Sequence, residues 1–313
     1  MMISIIVPAY NEAQSLQLLT KEIMTVMKHI NDEYEIILVN DGSTDHSQTV
    51  IDQLDQQFPR YVRGLTFRRN FGKAAALAAG FDSAKGEIII TMDGDLQDDP
   101  REIPRFIEKI KSGYDLVSGW KQHRQDPLIK NISSRLFNFV TGKIFEAKLH
   151  DFNCGFKAYR AETVKELALY GELHRFIPVL LAARGYKIGE IPVNHRRRQF
   201  GKSKYGSIRF INGFFDLLTV LFITKFHLRP LHMIGPIGMI FFLSGFIEAA
   251  YLTYDKIVLG QPIGNRPLLL LAVMSMIMGV QIGITGLVGE QITASLESQK
   301  KHDHQQLAKT HQS

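Results

Sequence analysis

The chain is 313 residues long and 45% hydrophobic, with 37 basic against 31 acidic side chains and a net charge of +6. That length suits one large domain with appendages or two small ones, and the hydrophobic share is too high for a disordered chain and too low for a polytopic transporter. A single cysteine, Cys154, excludes an internal disulfide and is compatible with a reducing compartment.

Residues 3–8 read as a first strand, reached from Met1-Met2 without a basic n-region or cleavage site, so no signal peptide is expected. An amphipathic helix over 13–29 follows, then a strand over 34–40. The turn 41–45 offers polar side chains to cap a helix that runs to about Phe58. Next come a strand at 62–67, an alanine-rich helix at 72–84, a strand at 87–92, a helix near 101–111 and a strand at 116–118. Strands alternating with helices at this spacing predict an α/β unit with a doubly wound, mostly parallel sheet. Ligands of such sheets sit beyond the carboxyl ends of the strands, where residues 8–12, Asp41 and Asp93-Gly-Asp95 all fall.

The stretch 86–100 carries the sharpest chemical signal. A short β-branched strand ends in Asp93 and Asp95, with Gln97 just beyond and Asp98, Asp99 and Pro100 opening the next helix. Two carboxylates and an amide oxygen converging there suit a hard divalent cation such as Mg²⁺ or Mn²⁺. For a lone Asp-x-Asp the acids would more simply cap the helix; here the strand context favours the cation.

Beyond Pro127 apolar residues recur at helical spacing over 128–145, interleaved with Lys130, Arg135 and Lys143, which fits either a surface helix or one lying in a membrane interface. Residues 151–160 read as a turn entering a strand, 172–178 open a helix, and a strand at 188–194 feeds the basic run 196–204. The segment 208–226 is apolar except for a stripe of Arg209, Asn212, Asp216 and Thr219, the pattern of an in-plane helix. Segments 234–254 and 267–288 each provide about the ~20 apolar residues that a bilayer core requires. Joined by the short link 255–266, they predict a transmembrane hairpin. Glu248 is expected to snorkel to the outer interface, and Gly279 with Gly283 offers a small-residue face for packing within or between subunits. From Lys300 the chain is polar and expected to be disordered. The implied division is 1–229 for the catalytic domain with its interfacial helices, 230–290 for the hairpin and 291–313 for a polar tail.

The motifs Val7-Pro-Ala-Tyr-Asn-Glu12, Val39-Asn-Asp-Gly-Ser-Thr-Asp45, Arg69-Asn-Phe-Gly-Lys73, Met92-Asp-Gly-Asp-Leu-Gln97 and Gly201-Lys-Ser-Lys-Tyr205 occur in that order. Together they resemble the inverting GT-A glycosyltransferases of the dolichol-phosphate mannose synthase type, and most closely the bacterial polyprenyl-phosphate glycosyltransferases with two C-terminal transmembrane helices. The resemblance implies a GT-A, Rossmann-like sheet and transfer of a hexose from a nucleotide sugar to polyprenyl (undecaprenyl) phosphate with inversion. UDP-glucose or a related UDP-hexose is the implied donor, and Mg²⁺ or Mn²⁺ the cofactor. It places the protein in the cytoplasmic membrane, multi-pass, with the catalytic domain in the cytosol. Pro8, Tyr10, Glu12, Asp41, Asn70, Gly72, Lys73 and Asp93 then line the nucleotide, and Asp95 with Gln97 holds the metal. Asp93, Asp95 and Asp151 take catalytic roles, with Asp151 either the family's candidate base or a structural residue that orients Arg or Lys side chains or caps the turn at Phe152-Asn153. Lys121, Arg124 and Arg135, with Arg198, Lys202, Ser203 and Lys204 of the basic loop, face the lipid phosphate. Lys121 stands where an Arg is frequent, a departure that makes phosphate binding less directional.

The chemistry agrees. A phosphate monoester has its second pKa near ~6, so the acceptor is already anionic and needs cations more than a strong base. Two other classes compete: a membrane glycosyltransferase using a glycolipid hydroxyl, and a non-catalytic sugar-nucleotide-binding membrane partner. Intact Asp93, Asp95 and Gln97 disfavour the second. Nucleic acid is not an expected partner, because the basic residues cluster beside membrane-seeking helices. A homo-oligomer is left open.

Overall fold

A computed structural model describes residues 1–30, 32–122, 138–145, 149–165, 167, 169–200, 209–226, 229–264 and 266–310. Seven strands form one sheet: β1 (Met2–Ala9), β2 (Glu33–Asn40), β3 (Val62–Thr66), β4 (Ile88–Thr91), β5 (Leu116–Trp120), β6 (Lys157–Arg160) and β7 (Ile188–Pro192). Their spatial order is β3-β2-β1-β4-β6-β5-β7. All neighbouring pairs are parallel except those made by β6, which runs antiparallel between β4 and β5.

Side-chain alternation along β1 explains the layers. Ile3, Ile5 and Val7 point to one face, where helices α1 (Ala13–Met27) and α4 (Ile103–Lys111) contribute Leu16, Leu19, Ile23, Phe106 and Ile107. Ile6 points to the other, against Ala76, Leu77 and Phe81 of α3 (Lys73–Ser83) and Ile177 and Leu181 of α5 (Ile177–Ala183). Helix α2 (Ser47–Gln57) adds Ile51 and Leu54 to the first face. Each fully buried aliphatic or aromatic side chain here contributes about 1.5–3 kcal/mol.

The antiparallel β6 shapes the site. Its first residue, Lys157, pairs with Thr91 of β4 and Ser118 of β5, so the loop 151–156 enters the sheet at the end where β4 and β5 leave it. The residues after β4, after β5 and before β6 therefore meet at one edge.

Compact units span Met1–Val220 and Leu221–Ser313. In the first, residues 138–145 are helical and Phe139 is 67% exposed, while 128–137 lie outside the described residues. Helix α6 (Arg209–Leu221) exposes Phe215 and Leu218. Its Asp216 is half-buried, and burial lifts its carboxyl above the usual range against the pull of Arg175. The exposed side of α6 is thus apolar at these positions, and one member of the expected polar stripe turns inward.

The second unit holds α7 (Pro230–Ile257) and α8 (Pro267–Thr310), both long and apolar enough to cross a membrane. The hairpin closes at both ends. Arg266 pairs with the buried Asp255, and the Glu290 carboxylate accepts from Leu231 N at 3.2 Å. Between them the helices touch backbone to backbone. A Cβ on Gly279 would lie 2.5 Å from Phe242 N and 2.6 Å from Gly238 O. Gly283 shares the seam through its backbone: a Cβ on Gly238 would lie 2.8 Å from Gly279 O and 3.1 Å from Gly283 N, although a Cβ on Gly283 itself would meet nothing within 4 Å, and Gly245 extends the contact. Glu248 departs from expectation. Its Oε2 is covered and has no hydrogen-bond partner among the described residues, because it lies three residues beyond Gly245 on the helix face that packs inward. Finally, α8 runs on to Thr310 where the sequence predicts disorder after Lys300. Residues 301–310 contain no Gly or Pro, and six of the ten are Lys, Gln, Leu or Ala, all good helix formers.

Candidate active site

Beyond β4 three carboxylates crowd together, and each faces a cation from a different part of the chain. Asp93 pairs with Lys73, the first residue of α3. Asp98, fully buried, pairs with Lys121 just past β5 at 2.9 Å. Asp95 pairs with Arg198 of the basic run. The backbone between the acids is bent by Leu96, which is buried at φ 62°, a left-handed conformation rare for a branched residue and typical of over-determined functional loops. This bend lets Asp95 and Gln97 reach the same nitrogen: Arg198 Nη2 contacts Asp95 Oδ2 and lies 3.3 Å from Gln97 Oε1.

The electrostatics follow from the crowding. Burial opposes ionisation of Asp93, but Lys73 and then Lys121 outweigh it and hold the carboxyl well below the usual range. Asp95 goes the other way: burial, then the Asp93 and Asp98 charges, push it up to about 6 despite Arg198. Burial disfavours a charged Lys121, yet Asp98 holds it protonated and its pKa above the ordinary value. Two hard oxygens, Asp95 Oδ2 and Gln97 Oε1, thus converge on a point already held by a cationic nitrogen. A divalent cation fits that donor set.

The loops after β1 and β2 build the neighbouring wall. Asn11 N donates to Ser43 Oγ at 2.9 Å, Glu12 N to Ser47 Oγ at 2.8 Å, and Thr44 N to Asn11 Oδ1 at 2.8 Å. These bonds hold the loop that carries Tyr10 and Glu12 against the loop that carries Asp41, whose backbone N donates to Ala9 O at 2.9 Å. Asp41 itself is buried, and its carboxylate accepts from Phe71 N at 2.7 Å, Gly72 N at 3.0 Å and Asn70 Nδ2 at 3.0 Å. Asp41 therefore shapes the turn that delivers Lys73; the expected nucleobase contact would use its remaining lone pairs.

Asp151 is 1% exposed, and its Oδ1 accepts from Asn153 N at 3.1 Å, capping the turn. Lys157 is buried below it and donates to the Phe152 and Cys154 carbonyls. Burial pushes the Cys154 thiol up to about 12, which makes it an inert core group. Gly155 lets the turn touch the acids: a Cβ there would stand 2.5 Å from Asp93 Oδ1. Gly155→Ala is therefore expected to displace Asp93 and to lower turnover by about a hundredfold. Circular dichroism should show the fold retained, and an unchanged rate would show that Asp93 has room to spare.

Arg124, Arg135, Lys202, Ser203 and Lys204 lie outside the described residues. The residues that pattern reading missed are those tying the basic run to the acidic loop. Arg196 Nη1 reaches Glu22 of α1 at 2.7 Å, its Nη2 reaches Asp99 at 2.6 Å, and its backbone N donates to Gln97 O at 2.9 Å. His195 bridges Asp98 in antiparallel fashion. Hydrogen bonds from Arg101, then the charge of Arg196, overcome burial and bring Asp99 down to about 2. His174 was also missed; burial and the nearby Lys73 charge hold it neutral. No spacing rule signals these partners, because they come from distant segments.

Residues 4–168 match the family described as Glycosyl transferase family 2, and residues 229–295 match the GtrB C-terminal hairpin. A dodecaprenyl-phosphate galacturonate synthase of Rhizobium johnstonii is 38% identical over 93% of this chain and 87% of its own length. An undecaprenyl-phosphate 4-deoxy-4-formamido-L-arabinose transferase of Yersinia enterocolitica is 36% identical over 93% of this chain and 88% of its own. Among solved structures, glucosyl-3-phosphoglycerate synthase of Mycobacterium tuberculosis, crystallised with Mn²⁺ and UDP-glucose, superposes with a TM-score of 0.53 at 16% identity, covering 71% of this chain and 78% of that one. This last likeness is one of fold.

Proposed function

The chain belongs to glycosyl transferase family 2, with a GT-A sheet unit and a GtrB-type hairpin, and from that premise we propose that it transfers a sugar from a nucleotide sugar to the phosphate of a polyprenyl phosphate. The observation that carries this reading is the convergence of Asp95 Oδ2 and Gln97 Oε1 on one cation position at the carboxyl end of β4. Relatives at 36–38% identity act on polyprenyl phosphates by name, which supports the acceptor. We infer a UDP-hexose donor, inversion at the sugar, and a catalytic unit on the cytosolic face of the cytoplasmic membrane, held by the hairpin. Glucose was the sugar that the architecture suggested; the relatives are named for galacturonate and 4-deoxy-4-formamido-L-arabinose, so the sugar is the variable to resolve.

In this mechanism Asp95 and Gln97 would hold Mg²⁺ or Mn²⁺, which neutralises charge developing on the departing diphosphate. Lys73 at the N-terminus of α3 presents a side-chain cation and helix N–H groups to the same anion, oriented by Asp93. Arg198 and the basic run hold the acceptor phosphate. An acceptor oxygen forms the new bond to the anomeric carbon while the bond to the diphosphate breaks and its electrons leave with the nucleotide. Because the acceptor is a dianion near neutral pH, no group has to remove a proton. Asp151 then acts as a turn cap. Asp151→Asn is expected to lower the rate equally at every pH between about 6 and 8. A loss confined to the acid side would restore it as the base.

The test is a screen of UDP- and GDP-sugars with the full-length protein in detergent, undecaprenyl phosphate and Mn²⁺, resolving products by mass. A lipid-linked sugar phosphate with release of nucleoside diphosphate is expected. Transfer only to a lipid hydroxyl, with none to polyprenyl phosphate, would overturn the reading.

A further inference from the structure

We propose that Arg198 is a cation surrogate: its guanidinium occupies the point between Asp95 and Gln97, and a divalent cation must displace it, which couples cation binding to capture of the acceptor phosphate. The inference rests on the metal-dependent reading above and adds an order to it. Of the three ion pairs, only this one places a single nitrogen against both expected metal ligands. Arg198 Nη2 and a divalent ion cannot share that point, so one leaves when the other arrives.

The surroundings dictate what moves. Arg196, two residues earlier, is pinned by Glu22, by Asp99 and by its backbone bond to Gln97, and His195 is bridged to Asp98. The Arg198 side chain differs in its partners: among the described residues its hydrogen bonds go to Asp95 and Gln97 alone. Exchange therefore needs only a side-chain rotation about a fixed backbone, and the released guanidinium remains within its own reach of the site. The charge balance changes at the same moment. Before exchange every nearby acid has its cation; afterwards the site has gained a divalent charge and still has a guanidinium beside it. A planar, always protonated fork is then available to a phosphate dianion. By linkage, phosphate in turn favours the cation-bound arrangement.

The experiment measures Mn²⁺ binding to the full-length protein in detergent, by electron paramagnetic resonance, with neither donor nor acceptor present. Arg198→Gln should bind Mn²⁺ between about fivefold and about a hundredfold more tightly than the parent, the span of ordinary coupling between sites. Arg197→Gln removes the same charge from an exposed neighbour and should change little. Unchanged or weaker binding in Arg198→Gln, or equal tightening in Arg197→Gln, overturns the exchange. With inorganic phosphate as the probe, saturating Mn²⁺ should strengthen phosphate binding in the parent and not in Arg198→Gln; equal strengthening in both would overturn coupling through Arg198. Asp95→Asn separates the two levels. If it abolishes Mn²⁺ binding while Arg198→Gln changes nothing, the metal site stands and the surrogate role falls. If Asp95→Asn binds Mn²⁺ as the parent does, the metal reading falls with it.

Discussion

Asp95→Asn is expected to leave the fold intact and to lower turnover by about two to three orders of magnitude. The change keeps the size of the side chain and removes one of three crowded carboxylates, so repulsion with Asp93 and Asp98 falls even as the pair with Arg198 is lost. The damage is therefore confined to chemistry. With a neutral amide in place of Oδ2, the apparent Mn²⁺ affinity should drop by at least about tenfold. Part of the rate should return at high Mn²⁺ concentration. Steady-state rates across a Mn²⁺ titration, with thermal unfolding in parallel, check both halves. Parental activity without added metal would rule out Asp95 as a ligand.

The second large effect is on stability. Lys121→Met removes the partner of Asp98, a carboxylate with no exposed surface, and leaves a charge uncompensated in the interior. Breaking such a pair from one side costs about 3–5 kcal/mol. Adding Asp98→Asn should recover most of the loss, because an amide oxygen can still accept from Asp93 N as the carboxylate does at 3.2 Å. Thermal unfolding of the parent, the single variant and the double variant measures this, and an unaltered midpoint in the single variant would refute it. The same series tests Lys121 as a phosphate ligand. A double variant that is stable yet retains a raised KM for the polyprenyl phosphate assigns Lys121 a direct contact; a recovered KM shows that Lys121 acts by fixing the loop through Asp98.

The contrast between these two residues shows what pattern reading reaches. Asp95 and Gln97 lie two positions apart at the end of a β-branched strand, so their chemistry is written locally. Lys121 follows a different strand, and its partner depends on β6 inserting antiparallel between β4 and β5. Likewise the turn of Asp41 with residues 70–72 joins segments from two successive strand–helix loops.

The sequence by itself determined the alternation of strands and helices, the acidic strand end with its following helix, and the two apolar helices of the hairpin. Each rests on periodicity or on residues a few positions apart, where local sterics and the burial of one face decide the outcome. Tertiary structure alone decided which cation meets which acid. It turned Asp216 inward and covered Glu248. It also placed Arg198, 103 residues from Asp95, on the point that two metal-seeking oxygens share. The physical reason is that an ion pair depends on distance in space, which the topology of the sheet sets and no local spacing records.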